Sequence, residues 1–121
     1  MKTTPDYSRL YDYLSSLERE NTQEEEYLCL ALEWHMNVMA DGEKTTIYNW
    51  FDFMDEYKVA LFEIGATASA DFITHVLSLC KEKEDIEKID ASIFENKKSA
   101  REAELQNMID EEREVLGLER V

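Results

Sequence analysis

Residues 57–77 read YKVALFEIGATASADFITHVL and contain the sharpest helix boundary in the chain. Apolar residues recur at helical spacing up to Ile64, and Gly65 then stands where a helix commonly ends in a left-handed residue. Thr67 or Ser69 can cap a second helix, and small neighbouring residues let the two backbones approach closely. The stretch therefore predicts a tight helix–Gly–helix corner. Its structural signature consists of Ala60, Leu61, Ile64, Gly65, Ala66 and Ala70.

The chain begins with two predicted helices. Thr-Pro-Asp at residues 4–6 is typical of a helix N-terminus, and the periodicity that follows extends the first helix to about Arg19. Thr22 and Glu25 have the spacing of a capping box, in which each side chain accepts from the other residue's backbone N–H. The second helix should end at Asp41-Gly42, a turn pair, and a short polar loop should follow.

Residues 46–64 keep helical phase without a proline or glycine, which predicts one long helix. The aromatic run around Asp52 leaves a second interpretation open, a bend or a short first helix at that point. Either way, we expect most of the apolar residues of this segment to pack in the core. They are Ile47, Trp50, Phe51, Met54, Tyr57, Leu61 and Ile64.

The chain after the corner is more polar. Residues 81–88 are charged and of mixed sign, and residues 86–94 predict a short further helix that docks on the core. Ser99 and Glu102 predict a capping box for a last helix at residues 98–116, ended by Gly117. Its narrow apolar stripe suits either docking on the domain edge, which we favour, or pairing with another chain.

Length and composition predict one all-α domain of about five to six helices covering residues 1–121. The chain has 28 acidic residues against 13 Lys and Arg, a formal net charge of −15. This charge disfavours direct binding of nucleic acid, which requires a basic face, and favours a basic protein partner. The alternative is an acidic surface that serves solubility. We find no signal peptide and no apolar run of membrane-spanning length, so we expect a cytoplasmic protein.

Motifs for catalysis, phosphate binding or metal binding are not found in the sequence, so we expect no enzyme, cofactor or metal. Cys29 and Cys80 lie on apolar faces, where a reduced thiol acts as a small hydrophobe. His35 should be a packed core residue, and Asp71 with His75 an exposed pair rather than a metal site. A small-molecule enzyme would instead need a polar pocket among four side chains: Trp34, His35, Trp50 and His75.

Acidic residues are concentrated in the first two thirds of the chain. Residues 6–71 contain 15 acids and 4 bases, whereas residues 81–121 contain 13 acids and 8 bases. If a partner is bound through carboxylates, we expect the contact in the first region. The candidate partner-binding residues are Glu24, Glu25, Glu26, Asp41, Glu43, Asp52, Asp55 and Glu56, with an ordinary solvated face as the alternative.

The corner also carries a family resemblance. Ala60-Leu61-x-x-Ile64-Gly65-Ala66, followed by Ala70 and Ile73, resembles the core motif of small acidic bacterial helical domains that include the DMP-type DNA-mimic protein. Helix, turn, aromatic segment and corner extend the likeness over about residues 25–80. Asp41-Gly42 keeps the family's turn, but Glu43-Lys44 departs from its Asn-Gly-Gly-Phe pattern.

The resemblance implies an all-helical fold and a protein-binding role. In at least one relative, carboxylates imitate phosphates and occupy the DNA-binding face of a helix-turn-helix regulator, often as a dimer, so a homodimer is included among our expectations. Fifteen charges correspond to about 25 Å of duplex, and a domain of this length is roughly 30–35 Å across. Mimicry therefore requires much of the charge to lie on one side. The alternative function is an immunity or antitoxin-like protein that binds a toxin.

Overall fold

The computed structural model describes residues 7–121 and builds them from seven α-helices and two short 3₁₀ helices, with no strand in that range. The elements are α1 Ser8–Ser15, α2 Gln23–Asp41, α3 Glu43–Asn49, a first 3₁₀ helix Phe51–Phe53, α4 Met54–Glu63, α5 Thr67–Ser78, a second 3₁₀ helix Lys83–Lys88, α6 Ala91–Glu95 and α7 Lys98–Val115. The all-α class is confirmed. The predicted cap at residues 4–6 lies outside the described residues.

Helix α2 occupies the centre of the fold, with α1, α3, α4 and α7 packed against it. Helix α5 packs on α4 and on α7. Fully buried side chains come from most of these helices, and each contributes roughly 1.5–3 kcal/mol through burial. The largest of them are Trp34, Tyr57, Leu10, Leu14, Leu28, Leu32, Ile47, Met54, Leu61, Ile73, Ile86 and Ile109.

Helix α1 ends at Ser15 rather than near Arg19, and Arg19 instead binds Glu25 in the first turn of α2. The predicted capping box of α2 is confirmed. The Glu25 backbone N–H donates to Thr22 Oγ1 at 3.2 Å, and the Thr22 N–H donates to Glu25 Oε1 at 2.8 Å. The polar loop expected after α2 is wrong. Gly42 alone makes the turn, with φ 87° and ψ 163°, and α3 begins at the next residue.

Residues 46–64 do not form one helix. Helix α3 ends at Asn49, the first 3₁₀ helix turns the chain, and α4 begins at Met54, so the bend around Asp52 is confirmed. This break raises the number of helices above the expected five to six. Trp50, expected in the core, lies at the C-terminal end of α3 and is 45% exposed.

The corner at Gly65 is confirmed in detail. Gly65 has φ 97°, its N–H donates to Phe62 O at 3.0 Å, and the Ala66 N–H donates to Leu61 O at 2.8 Å. These two bonds are those of a Schellman motif, which satisfies the last carbonyls of a helix. Ala60, Leu61 and Ala66 are fully buried beside it. The corner therefore fixes how α4 and α5 meet.

The start of α5 is capped from a distance. Neither predicted cap, Thr67 or Ser69, accepts a hydrogen bond from the helix N-terminus. Instead Glu104 Oε1, on α7, accepts from the Ala68 N–H at 2.7 Å. The predicted local caps are wrong because α7 brings a carboxylate to this helix end, where negative charge is favoured.

The C-terminal third docks on the same core. Leu105 and Ile109 of α7 are buried, which confirms that this helix docks on the domain edge. The buried side chains of Ile86 and Phe94 attach the second 3₁₀ helix and α6 to the same core. The capping box at residues 99–102 is wrong, because α7 begins at Lys98 with the left-handed Lys97 before it. Gly117 ends α7 with φ 71° and a second Schellman pair, as expected.

Candidate partner-binding site

The candidate site is an acidic region. One of its predicted partner-binding residues, Glu25, is instead bonded within the protein. Arg19 donates to both Glu25 oxygens, at 2.7 and 2.9 Å, while the Thr22 N–H donates to one of them. These bonds, the Arg19 guanidinium foremost, lower the pKa of Glu25 to about 2. Glu25 is 6% exposed. Its carboxylate holds the start of α2 and is not free for a partner.

Glu43 also has an internal partner. Arg101 donates from Nε and Nη2 to the two Glu43 oxygens, at 2.9 and 2.7 Å, and both side chains are buried. The same guanidinium donates to the carbonyls of Phe94 and Asn96 and lies 3.8 Å from the centre of the Phe72 ring. This ion pair joins α3 to α7. Sequence spacing gave no signal for it, because the partners are 58 residues apart.

The other six predicted acids are exposed but do not form one cluster: Glu24, Glu26, Asp41, Asp52, Asp55 and Glu56. Glu24 lies near Glu112 of α7, whose pKa is raised by burial first and by the Glu24 charge second. Asp41 lines a cavity with Lys44 and Lys98, and Asp52 lies at the first 3₁₀ helix. Three acids remain close together.

Those three, Glu26, Asp55 and Glu56, line an open groove of about 400 Å³ between α2 and α4. The first turns of α2 supply Glu26 with the half-buried Tyr27 and Leu30. The first turns of α4 supply Asp55 and Glu56, and Val59 follows on the same wall. We call these residues, together with Gln23, the α2–α4 groove. It combines an apolar floor with carboxylates at its rim.

Exposed apolar side chains that the sequence did not predict lie on α4 and at the turn before it. Val59 is 46% exposed and Phe62 59% exposed on the outer face of α4. Trp50 and Phe53 are exposed at the turn before α4, with ring centroids 6.5 Å apart. A signal was present, since Val59 and Phe62 do not share the spacing of Met54, Tyr57, Leu61 and Ile64.

The four side chains of the alternative enzyme pocket are not brought together. Trp34 and His35 are buried in the core, as expected for His35, and burial lowers the pKa of that imidazole. Trp50 is exposed at the turn before α4, and His75 is exposed on α5 beside Asp71. Within residues 7–121, no group of three or more His, Cys, Asp or Glu side chains is placed to hold a metal ion.

Glu33 and two tyrosines form a polar cluster between α1, α2 and α4. Tyr57 donates from its hydroxyl to Glu33 Oε1 at 3.4 Å, and Tyr11 contacts the same carboxylate. Burial raises the pKa of Glu33, and both burial and the Glu33 charge raise the pKa of Cys29 to about 11. The Cys29 thiol therefore stays protonated at neutral pH, and the cluster serves as a polar contact between helices.

Neither a family model, nor a curated protein, nor a solved structure matches this chain. The resemblance to the family of the DMP-type DNA mimic stays a hypothesis carried by residues 60–73. No helix within residues 7–121 has both the length and the apolar character needed to cross a membrane. The α2–α4 groove and the exposed apolar side chains of α4 are the most distinctive surface features of the described residues.

Proposed function

We propose that this chain is a non-catalytic protein-binding domain that takes a partner with a basic surface, through the outer face of α4 and the adjoining edge of α2. One observation carries the proposal. Of the eight large apolar side chains exposed in the described residues, four lie within residues 50–62: Trp50, Phe53, Val59 and Phe62. They alternate along the chain with exposed carboxylates.

Exposed apolar side chains scattered singly need no explanation, but neighbouring ones are typical of an interaction site. Here the rings of Trp50 and Phe53 are in contact, and Val59 and Phe62 lie one turn apart on α4. Residues 50–63 add four acids, namely Asp52, Asp55, Glu56 and Glu63, and one base, Lys58. That base is itself 3.7 Å from Asp55. Apolar contacts would supply affinity, while the uncompensated acids would favour a positive partner and speed its approach.

This composition supports a mixed apolar and basic partner surface more than strict imitation of DNA. A phosphate backbone presents charge without apolar groups, whereas this face interleaves the two. The loss of Glu25 and Glu43 to internal ion pairs further reduces the charge available for mimicry. A helix-turn-helix regulator and a toxin both remain partners that the proposal allows.

A photo-crosslinking amino acid placed at Phe62 in the native host tests the proposal. His75, an exposed residue on the α6-facing side of α5, is the matched control position. We expect a specific partner with a basic surface to be captured from position 62 and not from position 75. The purified complex should weaken as salt is raised, because exposed charges are screened.

DNA should compete for that complex only if the partner binds through its DNA-binding face. Equal capture from both positions, or a complex indifferent to salt, would refute the proposal.

A further inference from the structure

We propose that the α2–α4 groove receives an amphipathic helix of the partner, with apolar side chains on Tyr27, Leu30 and Val59 and with Lys or Arg against the acidic rim. This inference rests on the proposed function and specifies the segment that binds. It places the contact in the groove itself rather than anywhere on an acidic surface.

The shape of the groove favours a helix as the occupant. Its walls are two packed helices, and its floor is a short apolar stripe between them. A peptide that binds as an added strand needs a sheet edge, and residues 7–121 contain no strand. A helix satisfies its own backbone hydrogen bonds and offers apolar residues at positions i, i+3 or i+4, and i+7 to such a groove.

The rim determines the charge of that helix. Glu26 and Glu56 form no salt bridge within the described residues, and Asp55 has a long, exposed contact to Lys58. Two carboxylates therefore flank the apolar floor without a counter-charge. Lysines or arginines beside the apolar residues of an incoming helix would complement them, whereas acidic residues would be repelled.

The occupant is not a second copy of this chain. Two copies joined groove to groove would place the same carboxylates opposite one another. None of the seven α-helices within residues 7–121 has more Lys and Arg than Asp and Glu, so none of them offers the required basic face. The complementary helix must belong to a different protein.

The test uses two synthetic peptides of about 18 residues with the same Leu and Lys composition. One places leucine at i, i+3 or i+4, and i+7, and the other is scrambled so that no apolar face forms. Fluorescence anisotropy measures binding to the whole chain. We expect the amphipathic peptide to bind about tenfold or more tightly than the scrambled one.

Variants locate the contact. Val59→Asp, and separately Glu26→Gln with Glu56→Gln, should each weaken the amphipathic peptide about tenfold. The control variant, Asp71→Asn with Glu95→Gln, removes the same charge from exposed positions on α5 and α6, outside the groove. It should leave peptide binding unchanged apart from the small effect of a lower net charge. Circular dichroism confirms that each variant is folded.

Equal binding of both peptides, or equal weakening by the groove and control variants, would overturn the helix-in-groove inference and leave a non-specific acidic surface. Failure of the amphipathic peptide to bind would overturn it as well. The proposed function is judged separately, by whether position 62 captures a basic partner in the native host. The two can therefore fail independently.

Discussion

Arg101→Met tests whether the predicted partner-binding residue Glu43 is structural. The arginine donates to both oxygens of Glu43 and to the Phe94 and Asn96 carbonyls, and it covers the Phe72 ring. Methionine keeps much of the apolar stem but none of the five donors. The substitution leaves a buried carboxylate and two carbonyls without these bonds.

The expected cost is about 3–5 kcal/mol, the usual result of removing one partner of a buried ion pair. The total stability of a domain of this length is roughly 6–18 kcal/mol, so the variant should lose a large part of it. Replacing both partners is different, because no charge is left buried. Glu43→Leu combined with Arg101→Met should lie much closer to the wild type than the two single losses added together.

Urea unfolding followed by circular dichroism measures these free energies, with the two single variants and the double variant forming a double-mutant cycle. We expect a coupling energy of about 2 kcal/mol or more between Glu43 and Arg101. An Arg101→Met loss below about 1 kcal/mol, or strictly additive losses, would refute the reasoning. The ion pair would then contribute little to joining α3 and α7.

Two further predictions concern the glycines that end helices and the half-buried carboxylate of Glu33. Gly65→Ala and Gly117→Ala should each cost about 1–2 kcal/mol, because both glycines end a helix at positive φ. A Cβ at Gly65 would lie 2.8 Å from Met108 Sδ, but that flexible side chain can move away, and the space at Gly117 is open; thermal unfolding that shows no loss for either variant would contradict this. Glu33→Gln should stabilise the fold more at pH 7 than at pH 4. Burial raises the pKa of Glu33 in the folded state. The wild type therefore loses stability as the pH rises from the ordinary glutamate pKa through the raised pKa of Glu33, and the glutamine variant does not. A stability difference that does not change with pH would contradict this prediction.

Local signals predicted the fold well where the cause is local. The capping box at Thr22, the turn at Gly42 and the Schellman motif at Gly65 each depend on residues within a few positions of one another. The break before α4 could not be predicted from local signals, because no proline or glycine marks it. Periodicity alone is the same for a continuous helix and for two helices in nearly the same phase.

The candidate site was predicted less completely, for a physical reason. Charge density drew attention to Glu26, Asp55 and Glu56, which line the groove, but it could not distinguish them from Glu25 and Glu43. That difference is made by Arg19, across a short turn, and by Arg101, far along the chain. Exposure of Val59 was visible as a departure from the core spacing, although its meaning required the position of α2.

The cap that Glu104 places on the start of α5 affects the order in which the protein folds. The hydrogen bond to the Ala68 N–H spans 36 residues, so it forms only after α7 has docked. The corner at Gly65 can turn the chain early, since its own bonds are local, but α5 gains its capped first turn late. The helix that follows the best-marked local motif in the sequence is therefore completed by a residue of the last helix of the chain.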